Sequence, residues 1–279
     1  MAHETDVAAV EAVPQALRLL RADFRNRVQS NPAVHETLKE MRWVWDHTHR
    51  FRMRPDYSAE EINQQCETIV CNCSRKKYGD VVFPLRTDDL RELLETETES
   101  LDLCADLSNE SGETELLAEF RHGHRPVVRI TPGLVQEANL ENRLRAALAH
   151  AYGHVRLHDF LFQTEEGSWL SFFDDYPGSS LRIHRCHRDA IAPLKDEDWM
   201  EWQAGYACGA LLMPIGPLLA LVRQFRHDRD LDHAALSERS LDGATLIHEV
   251  AERFQTSWRS SRVRLIQLGI LAGDTRSLF

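Results

Sequence analysis

His150 and His154 stand four residues apart within Arg145-Ala-Ala-Leu-Ala-His-Ala-Tyr-Gly-His-Val-Arg-Leu-His158, a stretch that reads as helix. On a helix that spacing puts both imidazoles on one face, one turn apart, where they can share a single zinc ion. The pattern His-Glu-x-x-His adds a carboxylate beside the first histidine, which serves as general base in zinc peptidases. Position 151 is Ala here. The ligand spacing is present and the base is missing, and any reading of the chain has to accommodate both.

A histidine pair alone says little, because core helices place histidines four apart by chance. A third ligand makes the pattern specific. Glu201 lies within Trp199-Met-Glu-Trp-Gln-Ala204, at the start of a later helix that is apolar apart from a few polar positions. A carboxylate flanked by two tryptophans on such a helix requires a partner, and a metal ion would supply one. His150, His154 and Glu201 together make the three-ligand set of a catalytic zinc site with its fourth position open. His158, one turn beyond His154, is placed to support a ligand or to line the core.

The remaining segments suggest an α+β chain. Apolar spacing predicts helix over residues 11–54, broken near Asn31-Pro32. Ser58-Ala-Glu-Glu61 is a capping box that opens a helix to about Cys73. Val81–Leu85 is a strand candidate, and Thr87–Leu94 a short helix with Thr at its N-cap. Leu101–Leu107, Glu115–Phe120 and Val127–Ile130 read as strands of a small antiparallel sheet. A helix from about Glu141 follows, carrying the histidine pair, and a sheet followed by the metal helix is the zincin order. Residues 160–197 read as a long loop with room for one short element, and long loops in compact domains tend to be functional or mobile. Asp198–Met213 and Leu218–Phe225 are helical, and Ala244–Leu271 holds two short helices joined by a turn, resembling a helix-turn-helix. The expected division is a helical N-terminal extension (1–57), a metal-binding domain (58–216) and a C-terminal helical region (217–279).

Composition narrows the setting. The chain has 279 residues, 43% hydrophobic and 28% charged, as expected of a globular protein with a substantial core. No apolar run reaches the length of a membrane span, no secretory leader is recognisable, and six irregularly spaced cysteines suit a reducing cytoplasm. A net charge of −11 argues against bulk affinity for nucleic acid. It is unevenly spread, however. Basic residues between Arg18 and Arg54 are interleaved with Trp43, Trp45 and Phe51. That mixture suits single-stranded nucleic acid, or equally an amphipathic helix with its tryptophans inward. In the tail, Arg259, Arg262 and Arg264 are candidates for phosphate contact.

Two blocks together carry a resemblance. Ala147-Leu-Ala-His-Ala-Tyr-Gly-His-Val-Arg-Leu-His158, followed by Glu201-Trp-Gln-Ala-Gly-Tyr-Ala-Cys-Gly-Ala-Leu-Leu-Met-Pro214, resembles the ImmA/IrrE family of zinc metallopeptidases. The likeness covers roughly residues 100–270, and the tryptophan-rich version looks closest to the phage-defence CapP type. It implies a zincin-like domain in which His150, His154 and Glu201 bind zinc. It also implies cleavage of a partner helix-turn-helix repressor to relieve repression, with single-stranded DNA a candidate activator. Ala151 replaces the family's Glu, so the chain is expected to be an inactivated peptidase. The alternative is a catalytically dead, zinc-stabilised regulator that binds a repressor or nucleic acid. Between the ligand helices, Cys186 has cationic neighbours that would favour its thiolate. It is a candidate fourth zinc ligand that would hold the site latent.

Overall fold

The computed structural model describes residues 42–48, 51, 53–108, 116–122, 126–162, 183–187 and 198–273. The helix expected over residues 11–41 lies outside these. Its continuation to residue 54 is instead a hairpin. Trp43–Trp45 (β1) pairs antiparallel with Met53–Pro55 (β2), Trp43 opposite Pro55, and the Asp56 N–H donates to the Arg42 carbonyl at 2.8 Å. An Arg42–Asp56 ion pair closes the same end. Segments of three residues are too short to separate a period of two from one of 3.6, so partner strand rather than local pattern decides the outcome. The chain divides into two compact units. One holds this hairpin, and the other holds His47–Arg52 and Ser58 onward.

In the second unit, Ser58 caps Ala59–Tyr78 (α1) as its sequence predicts. The Ser58 Oγ accepts the Glu61 N–H at 3.2 Å and the Glu61 carboxylate accepts the Ser58 N–H at 2.6 Å. The helix runs five residues beyond Cys73, to a left-handed C-cap at Gly79 with φ of 75°. Glycine reaches that conformation without a Cβ penalty. At Thr87–Glu97 (α2) the cap comes from Asp89, whose carboxylate accepts the Arg86 N–H at 2.8 Å, and not from Thr87. Val81–Leu85 forms no strand. Side chains take up its carbonyls: Ser74 donates to Val82 and Arg145 to Leu85.

A four-stranded sheet follows, ordered β3-β5-β4-β6: Ser100–Asp102 (β3), Leu116–Arg121 (β4), Val127–Ile130 (β5) and Ile183–His187 (β6). It is mixed rather than antiparallel, because β3 runs parallel to β5 while β4 is antiparallel to both neighbours. β3 is also shorter than expected, since the chain turns at residues 103–104, where Asp102 accepts the Cys104 N–H at 2.9 Å. The 160–197 stretch, read from sequence as a loop with room for one short element, supplies β6 at the sheet edge. Ile-His-Arg-Cys-His has no apolar alternation, so its pairing with β4 is invisible locally.

The short helix Pro132–Gln136 (α3) leads to the central element, Glu141–His158 (α4), which is buried on nearly every side from Leu144 onward. Trp199–Leu212 (α5) packs along it, and Ile215–Asp228 (α6) departs at a 62° bend. Among the described residues no single helix is long and apolar enough to cross a membrane. Leu241–Phe254 (α7) and Trp258–Gln267 (α8) complete the unit, with Leu236–Ser237 (β7) and Leu271–Ala272 (β8) pairing beside them. The architecture is mixed α+β. The two tail helices and their turn fall where the sequence places them, but their arginines do not form one surface. Arg264 is buried and donates to the Asn63 side chain at 2.6 Å, Arg262 pairs with Glu238 at 2.7 Å, and Arg259 is exposed.

Candidate metal centre

The site is made where α4 and α5 touch. Gly153 sets their separation. A Cβ there would stand 2.9 Å from the Ala204 carbonyl oxygen and 3.1 Å from its Cα. Without a side chain at 153 the helices close until backbone meets backbone, and the His150–His154 face of α4 comes within reach of the first turn of α5. Asp198 caps that turn by accepting the Glu201 N–H at 3.3 Å, which fixes Glu201 three residues into the helix. Carboxylates at that position are favoured by the helix dipole. Glu201 is thus held toward the histidines.

The three predicted ligands converge. The His150 Nε2 lies 3.1 Å from the Glu201 Oε2, the His154 Nε2 lies 3.2 Å from the Glu201 Oε1, and the two Nε2 atoms are 3.2 Å apart. Tetrahedral zinc with bonds of about 2.0–2.1 Å separates its donor atoms by about 3.3–3.4 Å. The observed separations are that size within a few tenths of an ångström, with each histidine meeting its own oxygen of the Glu201 carboxylate. These residues are a group that could hold a metal ion. Their environment also favours one. His154 is 1% exposed, and two imidazole edges turned on a shielded carboxylate need a shared cation or protons between them.

Burial is graded across the centre. The His150 side chain is 21% exposed and Glu201 12%, so the centre opens to solvent on the His150 side and closes behind His154. Phe120 of β4 stacks on the His154 ring, 5.5 Å between centroids and 18° between planes. His122 meets the same ring edge-on at 5.9 Å, lies flat on Phe162, and pairs through Nδ1 with Asp159 at 3.2 Å. The sheet thus serves as the wall that fixes the orientation of the deeper ligand.

His158 sits behind His154 as its spacing suggests, with Nδ1 3.2 Å from the His154 Nδ1. Its Nε2 meets the Gln203 Oε1 at 2.9 Å. Gln203 was not among the expected site residues, although an amide two residues past Glu201 on an otherwise apolar helix is a sequence signal, and it is fully buried. His122, Asp159 and Phe120 offered no such signal, because their proximity depends on the sheet. Ala151 is buried beside the centre and presents a methyl group where the expected pattern has a carboxylate. Cys186 lies in β6, with its Cα opposite that of Ala118, and not in a loop.

Among the described residues the metal-binding group includes no thiol. Burial pushes the Cys66 thiol up to about 12, against the opposing charge of Arg264, and Cys66 approaches the Ala207 carbonyl at 3.8 Å. Cys208 packs against the Ala146 carbonyl at 3.4 Å, and burial raises both Cys71 and Cys73. Compared with models of known protein families and with curated proteins, the chain matches none.

Proposed function

We propose that the chain is a zinc endopeptidase of the ImmA/IrrE kind, with a zincin-like fold and a helix-turn-helix repressor as substrate. With Ala at 151 it holds metal and substrate without cutting. The observation that carries this reading is the convergence of His150, His154 and Glu201 on two helices in contact, with the two Nε2 atoms 3.2 Å apart and each 3.1–3.2 Å from one oxygen of the Glu201 carboxylate. Two imidazoles and one carboxylate suit zinc over magnesium or calcium, which take oxygen ligands, and leave a fourth tetrahedral position free. The ion would supply Lewis-acid activation of water and of a scissile carbonyl. The chain's own part is to hold its donors rigid, to exclude water behind His154, and to leave the His150 side open to substrate. At position 151 a methyl group can accept no proton, and the loss of general-base help costs roughly 10²–10⁴-fold in rate.

Ala151 also favours a second reading, in which the chain is a zinc-stabilised regulator that binds a repressor or nucleic acid and never cuts. One experiment separates the two. The variant Ala151→Glu is loaded with zinc and incubated with a helix-turn-helix repressor that the Ala151 chain binds, with and without single-stranded DNA. The peptidase reading expects repressor fragments that disappear with chelator. Repressor bound but intact under all these conditions would instead establish the regulator. The proposed role of Cys186 as fourth ligand is supported by its place in β6, alongside the strand whose Phe120 packs on His154. X-ray absorption of the zinc-loaded chain should then show one sulfur in the first shell.

A further inference from the structure

Where α4 ends and α5 begins, the two ligand helices are bridged by a ring from elsewhere in the chain. α4 runs past His158 into a single 3₁₀ turn, Asp159–Leu161, and Phe162 closes that turn, its N–H donating to the Asp159 carbonyl at 2.9 Å. Trp199 opens α5, two residues before Glu201. Phe51 lies against both. Its ring meets Phe162 edge-on with centroids 5.3 Å apart and Trp199 with centroids 6.1 Å apart, and Leu161 and Met200 fill the same cluster. Phe162, Trp199 and Met200 are 3%, 4% and 1% exposed, while Phe51, on the outside of the cluster, is half-buried.

From Phe51 two short paths reach the ligands. Through Phe162 the contacts pass to His122, which lies flat on that ring at 4.0 Å and meets the His154 ring at 5.9 Å. Through Trp199 they pass to His158, edge-on at 5.4 Å, and His158 meets His154 at 5.3 Å. Trp199 also belongs to the turn whose third residue is Glu201. One ring therefore stands behind two of the three ligands. Edge-on aromatic pairs fix orientation as well as bury area, because the positive rim of one ring seeks the negative face of the other. Without the Phe51 ring, Phe162 and Trp199 would border a gap, and packed interiors relax only in part around a gap. The origin of Phe51 is unusual for such a role. Residues 47–52 belong by their contacts to the second unit, whereas Asp46 and Met53 on either side belong to the first.

We infer that Phe51 is a positioning residue of the metal centre, a clip between the end of α4 and the start of α5 that holds His154 and Glu201 in metal-binding register. This rests on the metal-centre reading and deepens it, because it places the affinity of the centre under the control of a segment tethered at both ends to the first unit. Displacing residues 47–52 lowers metal affinity, and by linkage bound metal holds the same residues down.

The test uses the full chain, with Phe51→Ala to remove the clip, Phe51→Leu to keep the cluster filled, and Leu246→Ala as a truncation in the separate C-terminal cluster. Zinc affinity is measured by chelator competition. Cobalt(II) in place of zinc gives a visible absorption band that reports the geometry of the ligands. We expect Phe51→Ala to bind zinc about 10–100-fold more weakly, the usual cost of losing a group that orients a ligand, and to change the cobalt band. We expect Phe51→Leu to stay within about threefold of the parent, since swaps that keep apolar volume are tolerated best. Leu246→Ala should lower stability and leave both metal readouts at the parent values. Thermal unfolding of the metal-free forms shows which variants fold, and Phe51→Val, a smaller truncation, carries the same readouts if Phe51→Ala does not. Parental zinc affinity and an unchanged cobalt band in the truncated form overturn the inference and leave the metal centre standing. So does an equal loss of zinc affinity in Leu246→Ala, which would mark general loosening instead of a clip. A parent that binds neither zinc nor cobalt overturns the metal centre itself and this inference with it.

Discussion

Two regions of the second unit are equally buried and held together in opposite ways. The C-terminal cluster of α6, α7 and α8 joins Leu218, Val222, Phe225, Leu246, Val250, Phe254 and Leu265, and the buried polar residues beside it, Thr256, Ser261 and Arg264, find hydrogen-bond partners within the chain. The seam between α4 and α5 is as shielded at His154, His158 and Gln203, yet it is lined with rings and amides and ends on a carboxylate. The first region is complete as it stands, because apolar burial is non-directional and needs nothing from outside. The second is conditional. Its donor groups, His150, His154 and Glu201, converge where a cation would bind, so its stability depends on what is bound.

The contrast is easiest to break by changing the metal. Zinc held at about a thousand times its dissociation constant should stabilise the chain by about 4 kcal/mol against urea. His150→Ala should remove that increment while leaving zinc-free stability nearly unchanged; a chain equally stable with and without zinc would show that the seam, too, is complete alone.

Next in size is Leu246→Ala, which opens a cavity at a 0% exposed position of α7. A loss of about 2–5 kcal/mol is expected, equal in the zinc-free and zinc-loaded states. If the loss differs between the two states, the regions are coupled.

Gly153→Ala is the sharper probe of the seam, because the added methyl would meet the Ala204 backbone and the helices must part. Overpacking of this kind costs about 1–3 kcal/mol. Here the zinc-loaded state should lose more than the zinc-free one, since parting the helices widens the donor triangle. The smallest effect belongs to the exposed Arg259, where Arg259→Ala should change unfolding by under about 0.5 kcal/mol and leave zinc affinity unaltered.

The same contrast explains what could be read in advance. His150 and His154 were legible because helical periodicity alone puts them on one face. Glu201 was legible because a carboxylate among tryptophans is out of place. The tail helices followed from local apolar spacing. What was hidden depended on partners far along the chain. Trp43 and Val44 fit a helical pattern as well as a strand, and only Pro55 and Arg54 across the hairpin decide between them. Ile183–His187 becomes a strand because β4 has a free edge, which nothing in its five residues announces. Arg264 looked like a surface cation beside Arg259 and Arg262, but it is buried against Asn63, 201 residues earlier. At the site, the ligands belonged to the legible kind and the residues that aim them to the hidden kind.

One buried contact bears on how separable the metal helix is. Arg145, near the start of α4, is 1% exposed and donates both to the Leu85 carbonyl and, at 3.2 Å, to the Phe254 carbonyl at the last turn of α7. Burial lowers its affinity for its proton, and the negative end of α7 is what receives its charge. Arg264 makes a second stitch in the reverse direction, from α8 back to α1. Cutting the chain after α5 would take the Phe254 acceptor from the buried Arg145, leaving it Leu85 alone, and would part Arg264 from Asn63. The metal-binding half is therefore not portable: whatever gene fusion or rearrangement carries α4 elsewhere must carry the C-terminal helices along.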